Sequence, residues 1–180
     1  MQGIFMERRD FLGSLATLLG VATLPVGALA APARFAMPAA QLAIATAYAD
    51  TLIPRTDSPG AVDAGVPKSF GAMLANWAAP ETRKSMLAEL DAIEAAGKAQ
   101  SGTSFSAMKP AARLAMLKAY DAANFPRREY KRLRDLMLVL YYNSEPGATQ
   151  ELRYEHAPGP LEPSLPITPQ TRAWASLSFF

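Results

Sequence analysis

The chain has 180 residues, no cysteine, one histidine and a formal net charge of +2. Without a thiol there is no disulfide scaffold, cysteine nucleophile, iron–sulfur cluster or covalent c-type haem, and a lone imidazole cannot supply a two-histidine metal site. The near-neutral balance argues against a nucleic-acid partner, and 35 alanines lean the composition towards packed helices, because alanine loses no side-chain entropy on entering one.

Arg8-Arg9-Asp10-Phe11-Leu12 precedes an uncharged apolar run, Leu15 to Leu29, which closes on Ala28-Leu29-Ala30. A basic head, an apolar middle and an A-x-A exit is the layout of a secretory signal. The paired arginines followed by Phe11-Leu12 resemble its twin-arginine variety, which a receptor reads. Residues 1–30 are therefore expected to be a twin-arginine signal peptide cleaved after Ala30, placing the mature chain in the periplasm. The alternative is an uncleaved anchor. Phe11 to Ala31 is long enough, at roughly 20 residues, to cross a bilayer, but Gly20, Pro25 and Gly27 interrupt it. Twin-arginine cargo crosses folded, commonly with a cofactor inserted. A chain without cofactor ligands thus points to a non-covalent cofactor or to a partner that carries one.

Helical signals begin at Pro38, with Leu42, Ala45, Ala49 and Leu52-Ile53 at three- and four-residue spacing. Pro54 ends that helix, since proline disfavours helical geometry in the residue before it. Arg55 to Gly60 is a run of turn formers in which Asp57 suits a backbone cap. A second helix opens at Val66-Pro67 with a stripe of Phe70, Met73-Leu74 and Trp77. A third opens at Pro80-Glu81, buries Met86-Leu87, Leu90 and Ile93, and is expected to stop at Gly97-Lys98. Ser101 to Ser106 reads as a polar linker. A fourth helix follows Lys109-Pro110, presents Leu114, Leu117 and Tyr120, and ends near Asn124. A fifth starts at Pro126, with Tyr130, Leu133, Met137 and Leu140-Tyr141 in line.

That fifth helix changes character along its length. Arg127, Arg128, Lys131, Arg132 and Arg134 make its first half basic, while Leu136 to Tyr142 is apolar on every side. Such a helix must be covered all round, as the centre of the core or by a partner. Residues 144–180 hold six of the 15 prolines and no helical period, so they are expected to be extended. They are also rich in aromatics and branched aliphatics, unlike a disordered tail, so they are expected to lie along a surface, this chain's own or another's. The expected organisation is an all-α fold: a signal helix over 1–30, a domain of about five packed helices over 31–143, and a long proline-rich arm over 144–180 that binds a partner.

Candidate chemistry is sparse. His156 lies beside Glu151 and Glu155, a possible proton-transfer group, although a loop histidine in water explains it more simply. Asp50, Asp57 and Asp63 have no calcium-loop spacing and suit capping. There is no nucleophile elbow and no phosphate-binding glycine loop. The basic half of the fifth helix suits phosphate or an acidic surface or, more simply, plain solvation. Tyr141, Tyr142 and Trp174 suit stacking platforms or, more simply, core and interface anchors.

Two stretches carry a resemblance. Ala49-Asp50-Thr51-Leu52-Ile53-Pro54-Arg55-Thr56-Asp57-Ser58-Pro59-Gly60 through Pro67, and Tyr141-Tyr142-Asn143-Ser144-Glu145-Pro146-Gly147 through Glu155, together with the twin-arginine start, resemble the gluconate 2-dehydrogenase subunit 3 family. The resemblance implies the small subunit of a bacterial sugar, glycoside or polyol dehydrogenase complex. In it, a larger glucose-methanol-choline-type subunit binds FAD and oxidises the substrate, and electrons pass to a cytochrome c subunit with haem c. It also implies that the small subunit holds no cofactor and no catalytic residue, and helps the large subunit fold and leave the cytoplasm through the twin-arginine machinery. Export thus rests on Arg8, Arg9, Phe11 and Leu12, and partner contact on the arm and the end of the fifth helix, at Tyr141, Tyr142, Leu152, Arg153, Tyr154 and Trp174. Two readings stand beside it: a stand-alone periplasmic enzyme using His156 with Glu151 or Glu155, and a membrane-anchored helical binding module.

Overall fold

The computed structural model describes residues 35–156, 159, 164 and 166–175. Arg8, Arg9, Phe11, Leu12 and Ala30 lie outside the described residues, as do Leu161, Leu165 and residues 176–180 of the arm. Among the described residues five α-helices follow in order: α1 Ala39–Leu52, α2 Val66–Asn76, α3 Pro80–Ser101, α4 Pro110–Asn124 and α5 Arg128–Tyr142. A 3₁₀ turn, Phe105–Ala107, lies between α3 and α4, and a π-helical turn, Gly147–Glu151, follows α5. Among the described residues there is no strand, only an isolated parallel bridge between Arg153 and Trp174. The fold is all-α, as composition and periodicity require. Among the described residues no helix is long and apolar enough to cross a membrane.

Proline sets the helix starts. Pro67, Pro80 and Pro110 stand in the first turns of α2, α3 and α4, where a missing N–H loses no hydrogen bond. Helix α5 begins at Arg128, two residues beyond Pro126, because Arg127 first closes a turn by donating to the Asn124 carbonyl (2.8 Å).

Several sequence expectations need correction, and one of the two placements open to α5 falls away. Helix α3 does not stop at Gly97-Lys98; it continues to Ser101, and Gly102 ends it at φ +69°, a left-handed conformation that only glycine adopts without strain. Gly97 is a packing notch instead, since a Cβ there would come within 3.0 Å of the Phe105 backbone nitrogen. The polar linker is correspondingly not a bare connection, for its 3₁₀ turn drives Phe105 fully into the core. Nor is α5 the central helix. Leu133, Met137 and Tyr141 bury one face, while Leu136, Leu138, Val139 and Leu140 are only half-buried. Helix α3 packs on α1, α4, α5 and the 3₁₀ turn, and it shares the centre with α1, which packs on α2, α3, α4 and the same turn. In α1, Ala45, Ala47 and Ala49 keep the neighbouring helices close, Ile44 and Tyr48 fill the remaining space, and Leu42, expected in the buried stripe, lies exposed.

One buried charge ties α3 to α4 and α5. Glu89, 3 % exposed on α3, accepts from the Tyr120 hydroxyl at 2.8 Å and pairs with Arg127 at 2.8 Å. The Glu89 carboxylate holds the Arg127 guanidinium above its ordinary value, and burial, followed by the hydrogen bond to Glu89, pushes the Tyr120 phenol up to about 12. Arg127→Ala is expected to cost about 2 kcal/mol. That is less than the ~3–5 kcal/mol of a fully enclosed pair, because Arg127 is itself 46 % exposed and water can replace it. Glu89→Gln in that background should recover part of the loss, since it removes the uncompensated charge and keeps an acceptor for Tyr120. Urea denaturation of the four combinations measures both effects.

Candidate partner interface

The connection from Ile53 to Gly65 is held by its own backbone. Ala61 N–H donates to the Ile53 carbonyl (2.9 Å), Val66 N–H to Ala61 (3.0 Å), and the Asp63 carboxylate accepts from Gly60 N–H (3.0 Å) while pairing with Arg55. That hydrogen bond to Arg55 holds the Asp63 carboxyl below the usual carboxylate range. Asp57, expected to cap backbone, also accepts from the Thr56 hydroxyl, and Asp50 pairs with the buried Arg113 of α4. The three aspartates therefore serve three separate structural contacts, and among the described residues no cluster of metal-ligating side chains forms.

Two stretches far apart in sequence meet here. The Tyr141 hydroxyl donates to the Pro59 carbonyl at 2.7 Å, and the Ser58 hydroxyl donates to Glu151. The loop after α1 and the turn after α5 thus form one contiguous unit. Tyr141, expected to face a partner, is 1 % exposed and belongs to this core, because its i−4 and i−8 neighbours, Met137 and Leu133, lie on the buried face of α5. Tyr142 packs edge-on against Tyr141 at 5.2 Å and remains exposed.

The arm does not start extended. Residues 145–151 are helical, and the chain straightens only at Leu152, which is half-buried. Its later part then doubles back. Arg153 N–H donates to Ala173 (2.8 Å), Ala175 N–H donates to Arg153 (2.9 Å), and the Arg153 guanidinium lies 4.2 Å from the centre of the Trp174 ring. Arg172 donates to the Thr149 and Gln150 carbonyls, capping the turn. Arg153 and Trp174 are therefore partly engaged within the chain, although Trp174, like Tyr154, keeps nearly half its surface open. Proline-rich composition predicted extension here; it could not show that Arg153 and Arg172 pin the segment to the turn.

Among the described residues the fold brings no proton-transfer pair together around His156. Its ring contacts the Tyr154 hydroxyl at 3.4 Å, while Glu151 is engaged by Ser58 and Glu155 by Arg153 at 2.6 Å. The glycines most crowded by neighbours are packed against this chain's own backbone, Gly60 on Arg55, Gly97 on Phe105 and Gly147 on Tyr141.

A different surface stands out. Trp77, expected in the buried stripe of α2, is 85 % exposed. Helix α2 ends at Asn76, and Trp77 has left helical geometry at φ −122° as the chain turns towards α3, so its ring falls outside the stripe. It lines an open groove of about 520 Å³ where α2, the start of α3 and α5 meet, together with the buried Leu74 and Met86, the more open Met73, Leu136 and Val139, and the cations Arg128, Lys131 and Arg132. Sequence periodicity missed this groove because it treats Trp77 as a fourth helical position.

A family model described as gluconate 2-dehydrogenase subunit 3 matches residues 39–159, about two thirds of the chain. The chain belongs to the gluconate 2-dehydrogenase subunit 3 family. The match begins at the first residue of α1 and takes in the loop, the turn and the groove described above. Comparison with curated proteins and with solved structures returned no match. A subunit 3 chain is a small subunit of an oxidoreductase complex and has a catalytic partner.

Proposed function

We propose that this subunit is the non-catalytic brace and export carrier of a periplasmic or membrane-associated FAD-dependent dehydrogenase of the glucose-methanol-choline type, acting on a sugar, glycoside or polyol. FAD resides in the large subunit and haem c in a cytochrome subunit that accepts the electrons. The family match across the whole helical domain carries this reading. Arg8-Arg9-Asp10-Phe11-Leu12 supports the export half of it, because a twin-arginine signal on one subunit moves a folded partner that lacks one. The partial engagement of the arm supports the bracing half. A segment already folded back at Arg153 and Trp174 loses less entropy when a partner covers it than a free tail would.

The test replaces Arg8-Arg9 with Lys-Lys in cells that also express the catalytic subunit. Dehydrogenase activity is expected to stay with the cytoplasmic fraction, with less than about a tenth of it reaching the periplasm. Undiminished periplasmic activity would overturn the carrier role.

A further inference from the structure

We propose that the groove between α2 and α5 receives a segment of the catalytic subunit that inserts a large apolar side chain flanked by carboxylates. This rests on the reading of the chain as a partner-binding subunit and adds where, and by what chemistry, the partner is gripped.

The groove has the anatomy of an interface centre. Trp77 offers a nearly complete indole surface to solvent, and Met73, Leu136 and Val139 line the same groove beside it. Tryptophan at such positions is the residue type that most often dominates binding energy, and methionine adapts to the shape that enters. The charges around it are sorted. Arg127 is engaged by Glu89, and Arg134 by Asp121 and Asp135, so the acid that lines the groove is already neutralised. Among the described residues Arg128, Lys131 and Arg132 have no ion-pair partner, and all three edge the same groove. An apolar lining beside three unneutralised cations is complementary to an acidic segment with an apolar tip.

Two other occupants fit less well. A second copy meeting this face about a twofold axis would set three cations against the same three cations, because such an interface uses one patch twice. A membrane surface takes the continuous apolar face of a helix lying flat on it, whereas only Trp77 projects here and Met73, Leu136 and Val139 are divided between α2 and α5 around a groove.

The experiment uses the full-length subunit with its catalytic partner, in Trp77→Ala and in the triple charge reversal Arg128→Glu, Lys131→Glu, Arg132→Glu. Both changes sit on the surface, and the free subunit should keep its wild-type melting temperature. Trp77→Ala is expected to weaken the complex by about thirtyfold, roughly 2 kcal/mol. The charge reversal should weaken it at least tenfold and flatten its salt dependence. If either variant associates as tightly as the wild type, the assignment is overturned while the bracing role stands. If the wild-type subunit itself does not associate, both fall. Unchanged partner affinity with Trp77-dependent flotation on phosphatidylglycerol vesicles, or with Trp77-dependent self-association in sedimentation, overturns it in favour of a lipid surface or a second copy.

Discussion

Gly147→Ala is expected to cost about 3 kcal/mol or more and to free the end of the domain from the loop after α1. A Cβ on Gly147 would stand 2.1 Å from the Tyr141 carbonyl oxygen and 2.8 Å from its carbon. Both are backbone atoms, so no side-chain rotation relieves the overlap, and the loss lies at or above the upper end for overpacking. The whole turn depends on that approach. The Ser144 hydroxyl donates to Tyr141 (2.6 Å) and accepts from Gly147 N–H (3.2 Å), and Leu152 N–H closes the turn on the Gly147 carbonyl (2.9 Å). Displacing Gly147 therefore also loosens the Ser58–Glu151 bond and the Arg172 cap. Urea denaturation should show the lost stability. Hydrogen exchange should rise sharply over 147–153 while α1 to α4 stay protected, since their core residues lie elsewhere. An unchanged melting temperature would show that the turn shifts without cost.

What was legible in the sequence follows from locality. Proline restrains its own backbone and its neighbour's, so Pro54, Pro67, Pro80 and Pro110 announced helix ends and starts within a residue or so of where they fall. Lys131 and Arg132 are outward-facing charges on an apolar-periodic helix, and the period shows as much. Positions decided by a distant neighbour were not legible. Gly97 resembles a stop, and only the arrival of Phe105 makes it a notch. Tyr141 resembles an interface aromatic until Pro59, 82 residues earlier, accepts its hydroxyl. Trp77 fits the apolar stripe by count, but the helix had already ended. The stretches 49–67 and 141–155 both carry the family likeness. That they touch through Ser58–Glu151 and Tyr141–Pro59 required the fold, because nothing local to either encodes the other.

Phe105→Ala should be the most damaging single truncation in the helical core, at about 3–5 kcal/mol. Its ring is fully buried, yet it comes from a three-residue turn with no other buried residue to hold it. Removing the ring leaves a cavity and also releases the connection between α3 and α4, which packs on α1 and α3 through this turn. Gly97→Ala attacks the same contact from the other side. Its Cβ would press on the Phe105 Cβ and backbone nitrogen at 3.0 Å, so Phe105 must yield by a few tenths of an ångström while its ring is locked in the core. With the ring gone, the turn is free to move, and the methyl should then cost less. The two changes together are expected to fall short of the sum of their separate effects by roughly 1 kcal/mol, the sub-additivity of residues in direct contact. Denaturant midpoints of the four proteins in that cycle decide it. Strict additivity would mean that the ring does not hold the turn against Gly97, and that the close approach of α3 to the turn has another cause.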